Sequence, residues 1–263
     1  MFRCARFRVL AAVLAMSAAA RALPADGAVV AHPQATPESI VVGFVGGFVS
    51  HDNPHHGSVL LARRIQGSAP KSTFVQVFEN RRRKTAYKTI LRLLDRNHDG
   101  VLAEDEKAQA RIILFGQSWG AAAVVMLARD LNRAGIPVLL TVQVDSVAKF
   151  WQNDRVIPEN VVVAANFYQT HGIVHGRPEI TAADPARTQI LGNYRFDYKK
   201  EPAHCDEGSW YDRFFTPSHA QTECDPRLWS HVEDLVLQRL VLQSLVLQNL
   251  EPQPSVAATA PQP

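Results

Sequence analysis

The sequence predicts an α/β domain: a mostly parallel sheet with helices on both faces. Three observations predict it. Ser39 to Val45, Val138 to Val144 and Val161 to Ala165 are dense in apolar residues, as strands buried on both sides require. Segments of helical pattern separate these strands, so successive strands need crossover connections and run parallel. About 240 residues follow a leader-like N-terminus, enough for one domain of this class with a full core.

The elements follow in order. Ser39 to Val45 is the first strand and ends in Gly46-Gly47. Residues 57–67 form a helix with Val59, Leu60, Leu61, Ala62 and Ile65 on its apolar side. Thr73 to Phe78 is the second strand. Residues 80–94 form a helix that starts with the exposed run Arg81-Arg82-Arg83-Lys84, expected to be a solvated face, and buries Ile90, Leu91, Leu93 and Leu94. Residues 111–115 are the third strand and 119–134 its helix, closed by Gly135 and Pro137. Val138 to Val144 and Val161 to Ala165 are the fourth and fifth strands. Residues 166–220, rich in Gly and Pro, read mostly as loops, with one further strand within Thr188 to Tyr198. A final helix starts near Asp225 or Pro226, where a first turn tolerates proline, and runs to about Leu250. Its three Leu-Val-Leu-Gln units repeat every five residues and do not fit a heptad, so no coiled coil is expected.

The two ends of the chain read differently from its middle. Arg3, Arg6 and Arg8 precede a short apolar stretch, Val9 to Ala20, and Ala20-Arg21-Ala22 is a small-x-small cleavage site. Residues 1–22 are therefore expected to be a secretory signal, the mature chain to start at Leu23, and the protein to be periplasmic or extracellular. The apolar stretch is too short to span a bilayer, and no other run has transmembrane length. Removing the signal's four arginines from the 28 basic residues leaves 24 against 25 acids, a formal charge of −1. The basic pI of 8.8 thus comes largely from the leader and gives no reason to expect nucleic acid as a partner. Cys205 and Cys224 remain in the mature chain, and two cysteines in an exported protein suggest one disulfide, although spacing alone leaves unpaired thiols open. Residues 251–263, mostly Pro, Gln and Ala, read as a disordered tail.

The chemistry is concentrated in residues 111–120. The apolar strand Ile112 to Phe115 runs into Gly116-Gln117-Ser118-Trp119-Gly120, and a small-residue helix follows from Ala121 to Arg129. In the order strand, Gly-x-Ser-x-Gly, helix, the serine is held at the tip of a tight turn with its hydroxyl presented. The Trp119 amide, at the helix N-terminus, can donate to a developing oxyanion. With the Gly46-Gly47 turn and the strand–helix alternation, this elbow resembles the α/β-hydrolase superfamily in its compact lipase, esterase or thioesterase-like form, over roughly residues 39–250.

The resemblance implies a triad in the chain order Ser, acid, His, with Ser118 as nucleophile. Asp145, in Val142-Gln143-Val144-Asp145-Ser146, stands at the C-terminal end of an apolar strand, the edge of a parallel sheet where sites lie. The next strand ends in Asn166, with no carboxylate before Glu179. The histidine is expected on a loop before the final helix, where His219 stands. His231, inside that helix, and His204, beside Cys205, are the alternatives. A second oxyanion donor is expected at Gly47 or Phe48, after the first strand. His51, His55 and His56 in the same loop are expected on the substrate rim or in solvent rather than on a metal. The implied activity is cleavage of an acyl ester, small or lipid-like, or of a thioester or amide, with no organic cofactor. A non-catalytic binding module and a calcium-dependent interaction protein are the rival readings.

A second motif lies apart from the triad. Residues 95–106 place Asp95, Asn97 and Asp99 at loop positions 1, 3 and 5, Gly100 at 6 and Glu106 at 12, the spacing of an EF-hand calcium loop. Val101 would offer its carbonyl, and water would fill the place of Ala103. The exit helix has room only for residues 104–110, so a single structural calcium loop is expected.

Overall fold

The computed structural model describes residues 36–205 and 217–250. The signal expected at 1–22, the mature start at Leu23 and the tail at 251–263 lie outside the described residues.

Six parallel strands form the central sheet: β1 (Ser39–Val45), β2 (Thr73–Glu79), β3 (Ile112–Gln117), β4 (Val138–Val144), β6 (Val161–Tyr168) and β8 (Gln189–Arg195), in the order β2-β1-β3-β4-β6-β8. Two short strands, β5 (Val156–Ile157) and β7 (Thr181–Ala182), pair separately. The helices are α1 (Gly57–Ser68), α2 (Arg83–Leu94), α3 (Glu104–Ala108), α4 (Trp119–Arg133), α5 (Pro217–Cys224) and α6 (Pro226–Leu250).

Pleating assigns alternate residues of each buried strand to opposite faces. Ile40, Val42, Phe44, Ile112 and Leu114 share a core with Ala86 and Ile90 of α2 and with Val124, Leu127 and Leu131 of α4. Val41, Val45, Ile113, Phe115 and Val142 share the other with Leu61 and Ile65 of α1 and with Leu228, Trp229, Val232 and Val236 of α6. β1 and β3 are therefore buried and apolar on both faces over most of their length, which is why little polar alternation is visible in their sequences.

Several boundaries depart from the sequence reading. The expected helix at 80–94 opens with a 3-10 turn, Asn80–Arg82, before α2. Within the basic run, Arg83 is not a solvated residue: it pairs with Asp130 of α4 and donates to the Met126 carbonyl at 3.3 Å. The fifth predicted strand extends to Tyr168, because Asn166 is buried and its amide is satisfied by the Arg177 carbonyl at 2.9 Å and Asn193 Oδ1 at 3.0 Å. In the stretch 166–220 the strand expected within Thr188 to Tyr198 is β8, and the stretch also holds β7 and the start of α5. Proline 217 opens α5 and Pro226 opens α6, where the Asp225 carboxylate caps the Arg227 amide at 3.0 Å.

Candidate active site

Every candidate catalytic group lies past the C-terminal end of the parallel strands. Ser118 follows β3 directly. Its backbone has φ 56° and ψ −124°, a conformation that a non-glycine residue keeps only where its surroundings enforce it. The flanking glycines are demanded by contact. A Cβ on Gly116 would lie 2.6 Å from the Gly120 carbonyl, and one on Gly120 would lie 2.5 Å from the Phe44 carbonyl. Only bare backbone lets α4 turn back so sharply over β1.

The Ser118 amide donates to the Val144 carbonyl at 2.9 Å, and its carbonyl accepts from Val147 at 3.2 Å. The serine is thereby clasped by the segment that carries Asp145. That aspartate, fully buried and with φ 43°, follows β4 immediately. Its carboxylate accepts from the Gln169 side chain at 2.9 Å, the Gln169 backbone at 3.3 Å and the Gly176 backbone. These donors offset the cost of burying a carboxylate.

His219 Nδ1 lies 2.7 Å from Asp145 Oδ2, and its Nε2 lies 2.9 Å from Ser118 Oγ. An ionised carboxylate only accepts, so Nδ1 carries the proton and Nε2 presents its lone pair to the serine hydroxyl. The histidine stands in the first turn of α5 and not on a loop, contrary to expectation. The helix is tied down from several sides. Gln117, the residue before the serine, donates to Thr222 Oγ1 at 3.1 Å, and that hydroxyl donates to the His219 carbonyl at 2.7 Å. Trp229 Nε1 donates to the Thr222 and Glu223 carbonyls at 3.0 and 2.9 Å. Cys205 and Cys224 are at bonding distance with Cα atoms 5.7 Å apart, so the bridge anchors the C-terminal end of α5. Of the alternatives, His231 packs its ring against Phe167 and Tyr194, at 5.0 and 4.6 Å between centroids. Among the described residues, the histidine hydrogen bonds of Ser118 and Asp145 go to His219 and not to His204.

The expected oxyanion donors come from two segments of the chain. The Trp119 amide opens α4 and has no acceptor within its own helix. Among the described residues the Gly47 and Phe48 amides donate to nothing, and the Phe48 ring packs edge-on against Trp119 at 5.3 Å. The histidines of this loop do not behave alike. His51 is exposed and meets Glu79 at 2.9 Å, and His55 is exposed. His56 corrects the expectation, being 1% exposed beneath the loop. Its Nδ1 faces the Ser58 amide at 3.2 Å and its Nε2 the Gly46 amide at 3.4 Å. Burial holds its pKa down at about 4, against a hydrogen bond with the Gln117 side chain that favours the protonated ring.

The acidic loop folds around its own amides. Gly100 takes φ 81°. Asp95 accepts from the Asp99 and Gly100 amides at 3.2 and 3.0 Å, Asn97 from Asp99 at 3.0 Å, and Asp99 from Val101 at 2.7 Å. Glu106 reaches back to the Arg96 and Ala103 amides at 2.7 and 3.0 Å, and the Ala103 bond followed by that of Arg96 holds its carboxyl below the usual range. These are hard oxygen donors of the kind calcium takes, and the carboxylates keep lone pairs beyond those bonds. Among the described residues, no three His, Cys, Asp or Glu side chains converge closely enough to hold a metal.

Gln117, Gln169 and Gly176 escape the sequence reading. So does the buried Asp154, which accepts from Ser146 at 2.7 Å and from Arg177 at 3.2 Å and so ties the Asp145 loop to the Gly176 loop. Around the site Phe48, Phe150, Trp151 and Ile173 are exposed on the segments that follow β1, β4 and β6. No helix among the described residues is long and apolar enough to cross a membrane.

No family model and no curated protein sequence matches the chain. Solved structures similar to it include a thermostable esterase from Pseudomonas putida, at 12% identity and TM-score 0.40 over 78% of this chain and 74% of that one. The RedJ thioesterase of the prodiginine pathway in Streptomyces coelicolor is similar at 12% identity and TM-score 0.36, over 73% of this chain and 96% of that one. Human thioesterase 2 is similar at 10% identity and TM-score 0.36, over 79% and 98% of the two chains.

Proposed function

We propose that this chain is an exported serine hydrolase of the α/β-hydrolase superfamily that cleaves carboxylic esters, with thioesters and amides as the related alternatives. The observation that carries the reading is the hydrogen-bonded line from Ser118 Oγ to His219 Nε2 at 2.9 Å and from His219 Nδ1 to Asp145 Oδ2 at 2.7 Å. Its three members come from separate segments of the chain and meet at one sheet edge. A structural role alone does not call for a strained serine, a buried histidine and a fully buried aspartate in that order.

In the proposed reaction Ser118 Oγ attacks the acyl carbon and His219 Nε2 takes its proton. Asp145 holds the imidazole in the required tautomer and stabilises the imidazolium. The carbonyl oxygen, now an oxyanion, receives the Trp119 amide and one from the Gly47-Phe48 turn. His219 then protonates the leaving alkoxide, and water activated by the same histidine releases the acid from the acyl-enzyme. The exposed Phe48, Phe150, Trp151 and Ile173 suit an ester with an apolar acyl or alcohol group. The calcium reading belongs to the same proposal: Asp95, Asn97, Asp99, the Val101 carbonyl and Glu106 would hold the ion, which would stiffen the segment leading into β3.

A fluorophosphonate probe tests the catalytic reading. It should label the wild-type protein and not Ser118→Ala, and p-nitrophenyl esters of graded chain length should be turned over with the same dependence on Ser118. A wild-type protein that neither labels nor hydrolyses any of the series is a binding module instead.

A further inference from the structure

The turn after β1 has four amides, those of Gly46, Gly47, Phe48 and Val49. The Gly46 N–H is directed at His56 Nε2, 3.4 Å away, and the Val49 N–H donates to the Gly46 carbonyl at 3.2 Å. Those of Gly47 and Phe48 remain. Asn80, buried one residue past the end of β2, decides between them. Its Nδ2 donates to the Gly47 carbonyl at 2.6 Å and approaches the Val45 carbonyl at 3.4 Å. The sheet register puts it there, because Glu79 of β2 pairs with Val45 of β1. No cis peptide occurs, so the Gly47–Phe48 peptide is trans and its N–H points opposite to its carbonyl. With the carbonyl pulled onto Asn80, the Phe48 N–H is turned to the other side of the turn. The Phe48 ring packs against Trp119, whose own amide opens α4 next to Ser118.

We infer that Asn80 is a positioning residue that fixes the Phe48 amide as the second oxyanion donor, opposite that of Trp119. The inference deepens the hydrolase proposal and rests on it. It also explains the side chain: both groups facing Asn80 are carbonyl oxygens, so the position requires a donor. An isosteric aspartate would set a carboxylate against them and release the peptide to rotate.

The test uses an alkyl trifluoromethyl ketone beside a p-nitrophenyl ester. Ser118 Oγ adds to the ketone carbon, the carbonyl π pair moves onto oxygen, and the serine proton passes to His219. The resulting oxyanion needs the same amides as the transition state and no other reactant. Asn80→Asp and Asn80→Ala should lower kcat by about 10²-fold, the loss expected for one oxyanion donor, with KM within about threefold. The inhibition constant of the ketone should rise by the same factor as kcat/KM falls, a parallel that general loosening of the fold does not produce. In the wild-type protein, which needs no variant to fold, the Phe48 amide proton should move downfield on adduct formation and that of Gly47 should not. Variants with near wild-type kcat, a loss confined to KM, or a Gly47 shift in place of Phe48 each overturn the assignment. A wild-type protein that neither hydrolyses the ester nor binds the ketone overturns the hydrolase reading itself, and this inference with it.

Discussion

Gly176→Ala should damage the proposed active site without touching any triad residue. A Cβ at this position would lie 2.6 Å from Asp145 Oδ1 and 2.8 Å from the Asp145 Cα. Carbon–carbon contacts settle near 3.5 Å or more, so the second distance is short by about 0.7 Å. The aspartate backbone cannot yield, since its amide is held by the Phe167 carbonyl at 2.7 Å and its position is fixed by β4. The Gly176 segment must move instead and withdraw its amide from the carboxylate. Losing one hydrogen bond to a charged group costs about 1.5–3 kcal/mol, or roughly 3–10 °C in Tm for a chain of this size. A displacement approaching 1 Å at the group that orients the histidine should lower kcat/KM by about 10²-fold. Ester hydrolysis and thermal melting of Gly176→Ala should be read beside Gly172→Ala. That glycine sits in the same loop at φ 87° with open space around its missing Cβ. Alanine there should cost stability through backbone strain, about 1 kcal/mol or more, and spare activity. Equal activity in the two variants would show that contact with Asp145 does not govern catalysis.

Three further outcomes are expected. His56 is nearly uncharged in the folded state down to a pKa of about 4, while in the unfolded chain it titrates near 6.5. The unfolded state therefore binds more protons between those values, and stability should fall as the pH drops from about 6.5 to about 4, by about 3 kcal/mol in all. Urea midpoints of the wild type and His56→Asn should converge across that window, and parallel curves would refute the assignment. Replacing His219 with Ala should cost several orders of magnitude in kcat, whereas His231→Ala should cost less than about tenfold and act through stability by removing the packing against Phe167 and Tyr194. The reverse ranking would move the base into α6. Calcium at tenfold its Kd should add about 1.4 kcal/mol and raise Tm by a few degrees, an increment that chelator and the pair Asp95→Ala, Glu106→Gln should abolish. Calorimetry that detects no binding up to several millimolar would reduce the loop to an acidic turn.

The parts of the fold legible in the sequence are those whose physics is local. β1, β3 and β4 are buried on both faces and announce themselves as apolar runs. Ser118 and Asp145 could be placed because each terminates such a run. β6 was cut short at Asn166, a polar residue that reads as the end of a strand until its distant partners are known. The edge strand β8, Gln-Ile-Leu-Gly-Asn-Tyr-Arg, is half-exposed and has no clear period. The helix α5 has little amphipathic pattern, since a proline, a bridge and the Thr222 hydroxyl hold it in place of an apolar stripe. Gln169 and Gly176 reach Asp145 across 24 and 31 residues, so nothing near them in sequence marks their role. His56 looks like its neighbours His51 and His55 because burial leaves no trace in a residue's identity.

Ser118 and Asp145 stand at the ends of adjacent strands, the Ser118 amide bonded to the Val144 carbonyl and the Asp145 amide to the Phe167 carbonyl, whereas His219 arrives on a short helix held by side chains and one bridge. The three groups therefore do not share one thermal fate. The sheet edge keeps nucleophile and acid in register until the whole ladder melts, while α5 can detach earlier at a smaller cost. For the proposed hydrolase, inactivation on heating would be a separate and earlier transition than unfolding, reversible on cooling while the sheet remains intact.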